Sequence, residues 1–358
     1  MVRMSASRNA SVVLAGLALV FAASCGKSDE ESAGGGADAS QKVESESGAN
    51  CTFEKYAGAG VKGVDDLKSA KIGFAQSEKE ANPFRTAETQ SIRDEAAKRG
   101  IKNLIVTNAQ GDLNKEISDI QSMLSQGVNA LIISPLKSEG LDPALDAAKE
   151  KGVPIMTIDR LLTTKKACED YIGWVGSDFV EQGKRAAEAM NKATGGKAKA
   201  ATLLGAAGVN VTTDRNKGYK DWIEANATGI EIVAEQAGDF DRQKGQTVTE
   251  QLLAANKDIN AIYAHNDEMA LGAVAALKAA GKQPGDVKII TIDGTKGAVQ
   301  GLVDKWISGV IESNPRFGPL AFQALEDFYG GKGVPATQII SDKEYTPENA
   351  KAELPNAY

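Results

Sequence analysis

The sequence predicts an α/β protein built as two doubly wound parallel-sheet lobes. Two observations carry this. Strand and helix patterns alternate from Lys71 onward, and the same order of patterns then returns over a domain-sized period. Alternating runs of this kind build parallel sheets covered by helices on both faces. At 358 residues the chain can bury one large core or two ordinary ones.

Lys71 to Ala75 reads as a strand, and Thr86 to Arg99 as a helix closed by Gly100. Asn103 to Thr107 is a strand. Leu113 to Gln126 is a helix whose Ile117, Ile120 and Leu124 fall at helical spacing, closed by Gly127. Ala130 to Ser134 is a strand. Asp142 to Lys151 is a helix with Pro143 in its first turn, closed by Gly152, and Pro154 to Ile158 is a strand. Asn129-Ala130-Leu131-Ile132-Ile133 is then echoed by Asn260-Ala261-Ile262-Tyr263-Ala264. Val153 to Asp159 is echoed by Val287 to Asp293, and the helical runs Asp112–Gln126 and Asp241–Ala255 lead into the two echoing strands. So long a repeat signals two similar lobes, not a solenoid. After Ala264 the chain turns polar at His265-Asn266-Asp267, then helical through Leu271, Val274 and Leu277 to Gly281. Asn266 and Asp267 are both of the type that caps a helix.

Arg3 and Arg8 precede an apolar run from Val12 to Ala23, followed by Ser24-Cys25-Gly26. This is the layout of a signal peptide over residues 1–24, and the run is shorter than the roughly 20 residues of a membrane span. Ala22-Ala23-Ser24-Cys25 resembles a bacterial lipobox, with Ala22 where leucine is usual, so Cys25 is the expected lipidation site. Gly26 to Asn50 holds almost no large apolar residue and reads as a flexible tether. Of the 3 cysteines, Cys51 and Cys168 then remain, an even number that suggests a disulfide in an exported protein.

Open parallel sheets place small ligands at the carboxyl ends of their strands. Polar residues collect there: Asp159-Arg160 after one strand, Asn266 after another, Asp293-Gly294 after a third. Thr213-Asp214-Arg215 opens the helix that runs through Tyr219 and Trp222. Carboxylate acceptors beside guanidinium donors suit vicinal hydroxyls, which both donate and accept. Sugars also have apolar faces that pack on aromatic rings. Aromatics make up only 5% of the chain, so the loop residues Phe84 and Phe240, read as corresponding positions in the two lobes, stand out as a pair that could sandwich a ring.

A formal net charge of −7 with no basic block argues against a nucleic-acid partner. No GxxxxGK[ST] phosphate loop and no Cys/His metal spacing occurs, so neither cofactor nor metal is expected. His265, the only histidine, is tied to no nucleophile motif and is expected to hydrogen-bond structurally. Gly205-Ala206-Ala207-Gly208 reads as a ligand-facing loop or a plain turn. No catalytic set emerges.

The order Asn82-Pro83-Phe84, Thr157-Ile158-Asp159-Arg160, Asp214 to Tyr219, Gly238-Asp239-Phe240-Asp241, Ala264 to Ala273 and Thr291-Ile292-Asp293-Gly294 resembles the ribose- and galactose-type periplasmic sugar-binding proteins of ABC transporters. Within them the chain is most similar to galactofuranose-binding proteins, through Phe74-Ala75-Gln76, Phe84 to Thr89, Gly238 to Phe240 and Tyr263 to Asp267. The resemblance implies a type I periplasmic binding protein fold, its lobes joined by three crossovers near Gly176, Glu312 and Asp342. The lobes would be 71–176 plus 313–342 and 177–312 plus 343–358, after an anchored tether and extension over 25–70. It implies that Phe84 and Phe240 stack on a monosaccharide while Arg85, Asp159, Arg160, Arg215, Asn266 and Asp293 bond its hydroxyls. Glu312 or Ser313 would add a contact. The loop with Glu78, Lys79 and Glu80 departs from the family's pattern. The implied protein is a monomer, held at a membrane by its lipid, that hands ligand to permease subunits; presentation to a sensory receptor is the alternative.

Overall fold

The computed structural model describes residues 43–45, 50–56 and 60–358. The Val12–Ala23 run, Cys25 and most of the polar segment before Asn50 lie outside them.

Strand β1 (Val43–Ser45) is followed by a regular alternation: β2 (Lys71–Gln76), α1 (Pro83–Lys98), β3 (Asn103–Asn108), α2 (Leu113–Ser125), β4 (Ala130–Ser134), α3 (Asp142–Glu150), β5 (Ile155–Ile158) and β6 (Gly173–Ser177). The second series is α4 (Phe179–Thr194), β7 (Ala198–Leu204), α5 (Asn210–Asn226), β8 (Ile230–Ala237), α6 (Arg242–Ala255), β9 (Ala261–Ala264), α7 (Asp267–Ala279), β10 (Lys288–Asp293), α8 (Lys296–Val303) and β11 (Gly309–Glu312). Then come α9 (Gly318–Tyr329), β12 (Thr337–Ile340), β13 (Glu344–Tyr345) and α10 (Ala350–Glu353).

The strands form two sheets, ordered β1-β12-β6-β5-β4-β2-β3 and β13-β11-β10-β9-β7-β8. Each contains the doubly wound order, β3-β2-β4-β5-β6 matching β8-β7-β9-β10-β11, and only β1 and β13 run antiparallel to their neighbours. The central strands β4, β5 and β9 are buried along their whole length, which is why they read as unbroken apolar runs. Helix α9 returns to the first sheet and packs on α1, with Phe317, Phe322 and Phe328 in that lobe's core. The chain therefore changes lobe three times: between β6 and α4, between β11 and α9, and between β12 and β13.

The repeat extends to single hydrogen bonds. Asn129 accepts the backbone N–H of Lys71 at 2.8 Å, and Asn260 accepts that of Lys199 at 2.9 Å, so the same side chain fixes the first strand to the third in each lobe.

Two helices begin earlier than the sequence reading has them. Helix α1 starts at Pro83, not Thr86, because Asn82 caps it through the N–H of Phe84 and proline suits a first helical position. Phe84 is thus a helix residue, not a loop residue. Helix α5 starts at Asn210, so Thr213-Asp214-Arg215 lie inside it rather than opening it.

The described residues of 50–70 pack on the first lobe, with Cys51, Tyr56, Leu67 and Ala70 in its core. Cys51 bridges Val334 through paired backbone bonds of 2.7 and 2.8 Å and forms a disulfide with Cys168, with Cα atoms 5.1 Å apart. Phe53 lies 5.5 Å from the Phe328 ring, and Tyr56 donates to the carbonyl of Asp170.

Candidate functional site

The two sheets turn their carboxyl ends toward a shared cavity, a narrow one with only about 30 Å³ open to a water-sized sphere. From the first lobe it is lined by Glu78, Asn82, Phe84, Arg85, Asp159 and Arg160. From the second it is lined by Val211, Arg215, Phe240, Asn266 and Asp293. All eight candidate ligand residues named from the sequence therefore border one space.

Asp159 and Arg160 follow β5 and are buried, yet they do not pair with each other. Asp159 sits 2.7 Å from Arg85, while Arg160 donates to Glu78 at 3.0 Å and to the carbonyl of Leu136 at 2.7 Å. Asp159 takes a left-handed backbone, φ 62°, which places its side chain across the strand end. The Trp174 indole holds it there by donating to its carbonyl at 3.0 Å. Arg85 reaches the site from the first turn of α1, with its guanidinium bonded to Glu78 and Glu88 at 2.9 Å each and to Ser134 at 3.1 Å.

Glu78 is the residue the sequence reading treated as a departure, and it lies at the centre of this network. One oxygen, Oε2, accepts from both Arg85 and Arg160. Burial pushes its carboxyl up, but the two guanidinium charges outweigh that and bring it down to about 2. Glu88, fully buried behind Arg85, is held above the usual carboxylate range by desolvation.

In the second lobe Asn266 caps α7 by accepting the N–H of Met269 at 3.0 Å and also borders the cavity. Asp267 does not cap its helix. Its carboxylate turns back to accept the N–H groups of Gly294 and Thr295 and the Thr295 hydroxyl, at 2.9, 2.7 and 2.9 Å, and so fixes the loop that carries Asp293. Asp293 lies 3.7 Å from Arg215, and burial raises its carboxyl well above the ordinary value. His265 accepts from the N–H of Gly205 through Nδ1, and burial pushes it down to about 3, so the ring is neutral.

Phe240 does not correspond to Phe84. It follows β8, the second strand of its sheet order in the chain, so its counterpart in the first lobe is the turn after β3. Asp239 and Phe240 both adopt left-handed backbone, φ 53° and 60°, strain that for non-glycine residues costs ~1–3 kcal/mol each and marks functional loops. The strain brings the ring against Gly205, where an added Cβ would lie 2.0 Å from it, and under Arg160, whose guanidinium carbon is 5.9 Å from its centroid. The Gly205–Gly208 turn also meets the other lobe: Gly208 accepts from the N–H of Ser138 at 3.1 Å, and Ala207 from Lys137.

Glu312 and Ser313 do not border the cavity. Glu312 instead accepts from Tyr345 and from the N–H of Lys343, both at 3.0 Å, and the Ser313 carbonyl accepts from Tyr358. Asn82 and Val211 line the cavity without having been singled out as ligand residues. Among the described residues no cluster of His, Cys, Asp or Glu could hold a metal ion, and no helix is long and apolar enough to cross a membrane.

Two doubly wound lobes facing a shared polar cavity, joined by three crossings, define a two-lobed binding protein. The chain belongs to the periplasmic binding protein family: the model of that domain matches residues 72–332. The ribose import binding protein of Bacillus subtilis is 37% identical over 288 residues, which cover 80% of this chain and 90% of that one. The galactofuranose-binding protein of Escherichia coli is 34% identical over 289 residues, 79% of this chain and 90% of that one. A crystal structure from Mycobacterium smegmatis in complex with β-D-fucofuranose superposes with a TM-score of 0.76 at 35% identity, covering 80% of this chain and 95% of that one. As a member of this family the chain is a binding protein and not an enzyme.

Proposed function

We propose that this protein is the exported sugar-binding component of an ABC importer, that it captures a monosaccharide between its lobes, and that it delivers it to permease subunits. The observation that carries this reading is the alternation of charge around the cavity. Glu78, Asp159 and Asp293 can accept, and Arg85, Arg160 and Arg215 can donate, with members of each set on both lobes. A hydroxyl-rich ligand satisfies both sets at once, and binding across the cleft favours the closed arrangement by contacts available only there. The rings of Phe84 and Phe240 offer the apolar surface that a sugar's C–H face requires. The relatives named for ribose and galactofuranose, and the solved fucofuranose complex, support a sugar in this position. We assign Phe84, Arg85, Asp159, Arg160, Arg215, Phe240, Asn266 and Asp293 to ligand binding, and a five-membered-ring sugar to the site. Mass spectrometry of ligand carried through native purification tests the assignment; a non-carbohydrate ligand in the cavity would overturn it.

Export and anchoring belong to the same proposal. Residues 1–24 act as the signal peptide and Cys25 as the lipidated mature terminus, tethered to the first lobe by the segment that the Cys51–Cys168 disulfide ends. Cys25→Ala should move the protein from the membrane fraction to the soluble fraction. Unchanged membrane association would exclude the anchor.

A further inference from the structure

One buried amide touches the site and two of the chain crossings, and it stands just beyond the third. Gln182 lies in the first turns of α4, four residues past its cap Asp178, and is 1% exposed. Its Nε2 donates to Asp342 Oδ2 at 2.7 Å, between β12 and β13, and to the carbonyl of Glu312 at 3.3 Å, at the end of β11. Its Oε1 accepts from Arg215 Nε at 2.9 Å. Arg215 continues to the His265 carbonyl at 2.5 Å and to Asp293 at 3.7 Å, bordering the cavity. The amide has one workable orientation. A guanidinium only donates and a carboxylate accepts, so a flipped amide would set donor against donor at Arg215.

The surroundings hold this arrangement from both sides. Helices α4 and α5 meet at Gly183 and Gly218, where an added Cβ would lie 2.1 Å from the Arg215 carbonyl oxygen and 2.0 Å from that of Val180. No larger residue would let Arg215 come so near α4. On the other side Asp342 Oδ1 accepts the N–H of Asn314 at 3.1 Å, and Arg185 donates to the carbonyls of Asp342 and Lys343 at 2.9 Å each. The second and third crossings are thereby tied together, and Gln182 joins that knot to the cavity.

We propose that Gln182 is a positioning residue that couples the three crossings to Arg215, so that the angle between the lobes and the placement of the ligand-side guanidinium change together. The proposal rests on the cleft-closing reading above and deepens it: the hinge then senses ligand through Arg215 and does not bend as a passive linker. The ionised Asp342 carboxylate is the fixed end of the chain. Around it stand Gln182, the Ser177 hydroxyl, the Glu312 carboxylate and the Asn314 N–H, with Arg185 on its own carbonyl. Burial pushes Asp342 up to about 6, so acidification converts an acceptor at the end of the chain into a donor.

Gln182→Met keeps the volume and removes the bonds; Asp342→Asn keeps the shape and removes the charge. Small-angle scattering of the ligand-free proteins and calorimetry with methyl β-D-galactofuranoside test the coupling. Gln182→Met should bind about tenfold or more weakly, the scale of losing bonds to charged partners. It should also change the ligand-free radius of gyration while unfolding as cooperatively as wild type. Wild-type affinity should fall between pH 7 and 5, and Asp342→Asn should lack that fall, which a merely structural role would not remove. Wild-type affinity, scattering and pH profile in both variants would overturn the coupling. If Gln182→Met fails to fold, Asp342→Asn decides alone. A wild type that binds no sugar removes the sugar reading; the ligand-free scattering then still decides for or against the coupling.

Discussion

Asp159 and Asp293 are the same residue of two repeated lobes, and they face each other across the cavity. Asp159 follows β5 directly and Asp293 ends the corresponding β10, each has positive φ, 62° and 142°, and each is buried. The charge of Asp159 helps raise the Asp293 carboxyl, after burial and together with Asp267. Two acidic groups brought into one buried space favour a partner that donates to both. A ligand with several hydroxyls does so.

Asp293→Ala should therefore weaken binding well beyond the loss of a neutral hydrogen bond, because Arg215 keeps its charge and loses its carboxylate partner. Bonds to charged groups contribute ~1.5–3 kcal/mol, so a loss of roughly 10- to 150-fold in affinity is expected. Calorimetry on the cognate sugar checks it, and a change under threefold would remove Asp293 from the site.

Glu78 makes stability depend on acid. Its carboxyl is drawn down to about 2 from 4.5 in the folded chain, the sum of a burial cost and a larger gain from Arg160 and Arg85. A depressed folded value adds stability that is complete above 4.5 and is lost as pH falls toward 2. At ~1.4 kcal/mol per unit the contribution is about 3 kcal/mol. Glu78→Gln should lower the urea midpoint at pH 7 and flatten the acid limb below pH 4.5. An unchanged limb would show that other carboxylates dominate there.

How much of this was legible in the sequence differs by kind. Strands such as Ala130–Ser134 and the capped helices between them follow from apolar periodicity and stop signals, and their period reveals two lobes. Asp159, Arg215 and Asn266 could be named because strand ends mark the ligand face. The partners could not. Asp159-Arg160 reads as a pair, yet backbone at φ 62° separates them and hands Asp159 to Arg85 and Arg160 to Glu78. Nothing in Glu78-Lys79-Glu80 says which carboxylate turns inward, because that depends on where two guanidiniums from distant segments arrive. Asp267 was equally hidden. It has the type and place of a cap, but its acceptors are taken by a loop far along the chain.

Glu116 gives the opposite pH sign. It is fully buried in α2, and desolvation pushes it up to about 8 although the Leu136 N–H and the Arg160 and Arg85 charges pull the other way. A raised folded carboxyl favours folding most below 4.5 and loses that advantage as pH climbs from 4.5 to about 8. Glu116→Gln keeps an acceptor for Leu136 without the charge. The variant should be more stable than wild type at pH 9, by ~1–3 kcal/mol, and close to it at pH 4, below the unfolded value of 4.5. Urea unfolding at both values checks this; equal curves at pH 9 would mean that Glu116 reaches water when ionised. Because Leu136 also holds Arg160, at 2.7 Å, wild-type ligand affinity should weaken in the same alkaline range.

The choice of ring form is the sharpest prediction for the site. Carboxylate and guanidinium groups fixed by buried partners, with two aromatic surfaces, reject a misplaced hydroxyl because it leaves charged groups unpaired. Glu78, Arg85 and Arg160 are locked to one another through a single oxygen, so that side of the cavity cannot re-pack around a wider ring at low cost. Free galactose is mostly six-membered in water, and a furanose-selective site sees only the small remaining fraction. Its apparent affinity for bulk galactose falls in proportion to that fraction, as it does for a protein whose competent conformer is rare. Calorimetry should show weak binding of galactose and much tighter binding of a locked galactofuranoside. Phe240→Ala should cost about tenfold with the furanoside, near the worth of one aromatic surface, at ~0.5–1.5 kcal/mol beyond its buried area. Sub-micromolar binding of a locked galactopyranoside, with no response to the furanoside, would reverse the assignment and make the cavity a pyranose site.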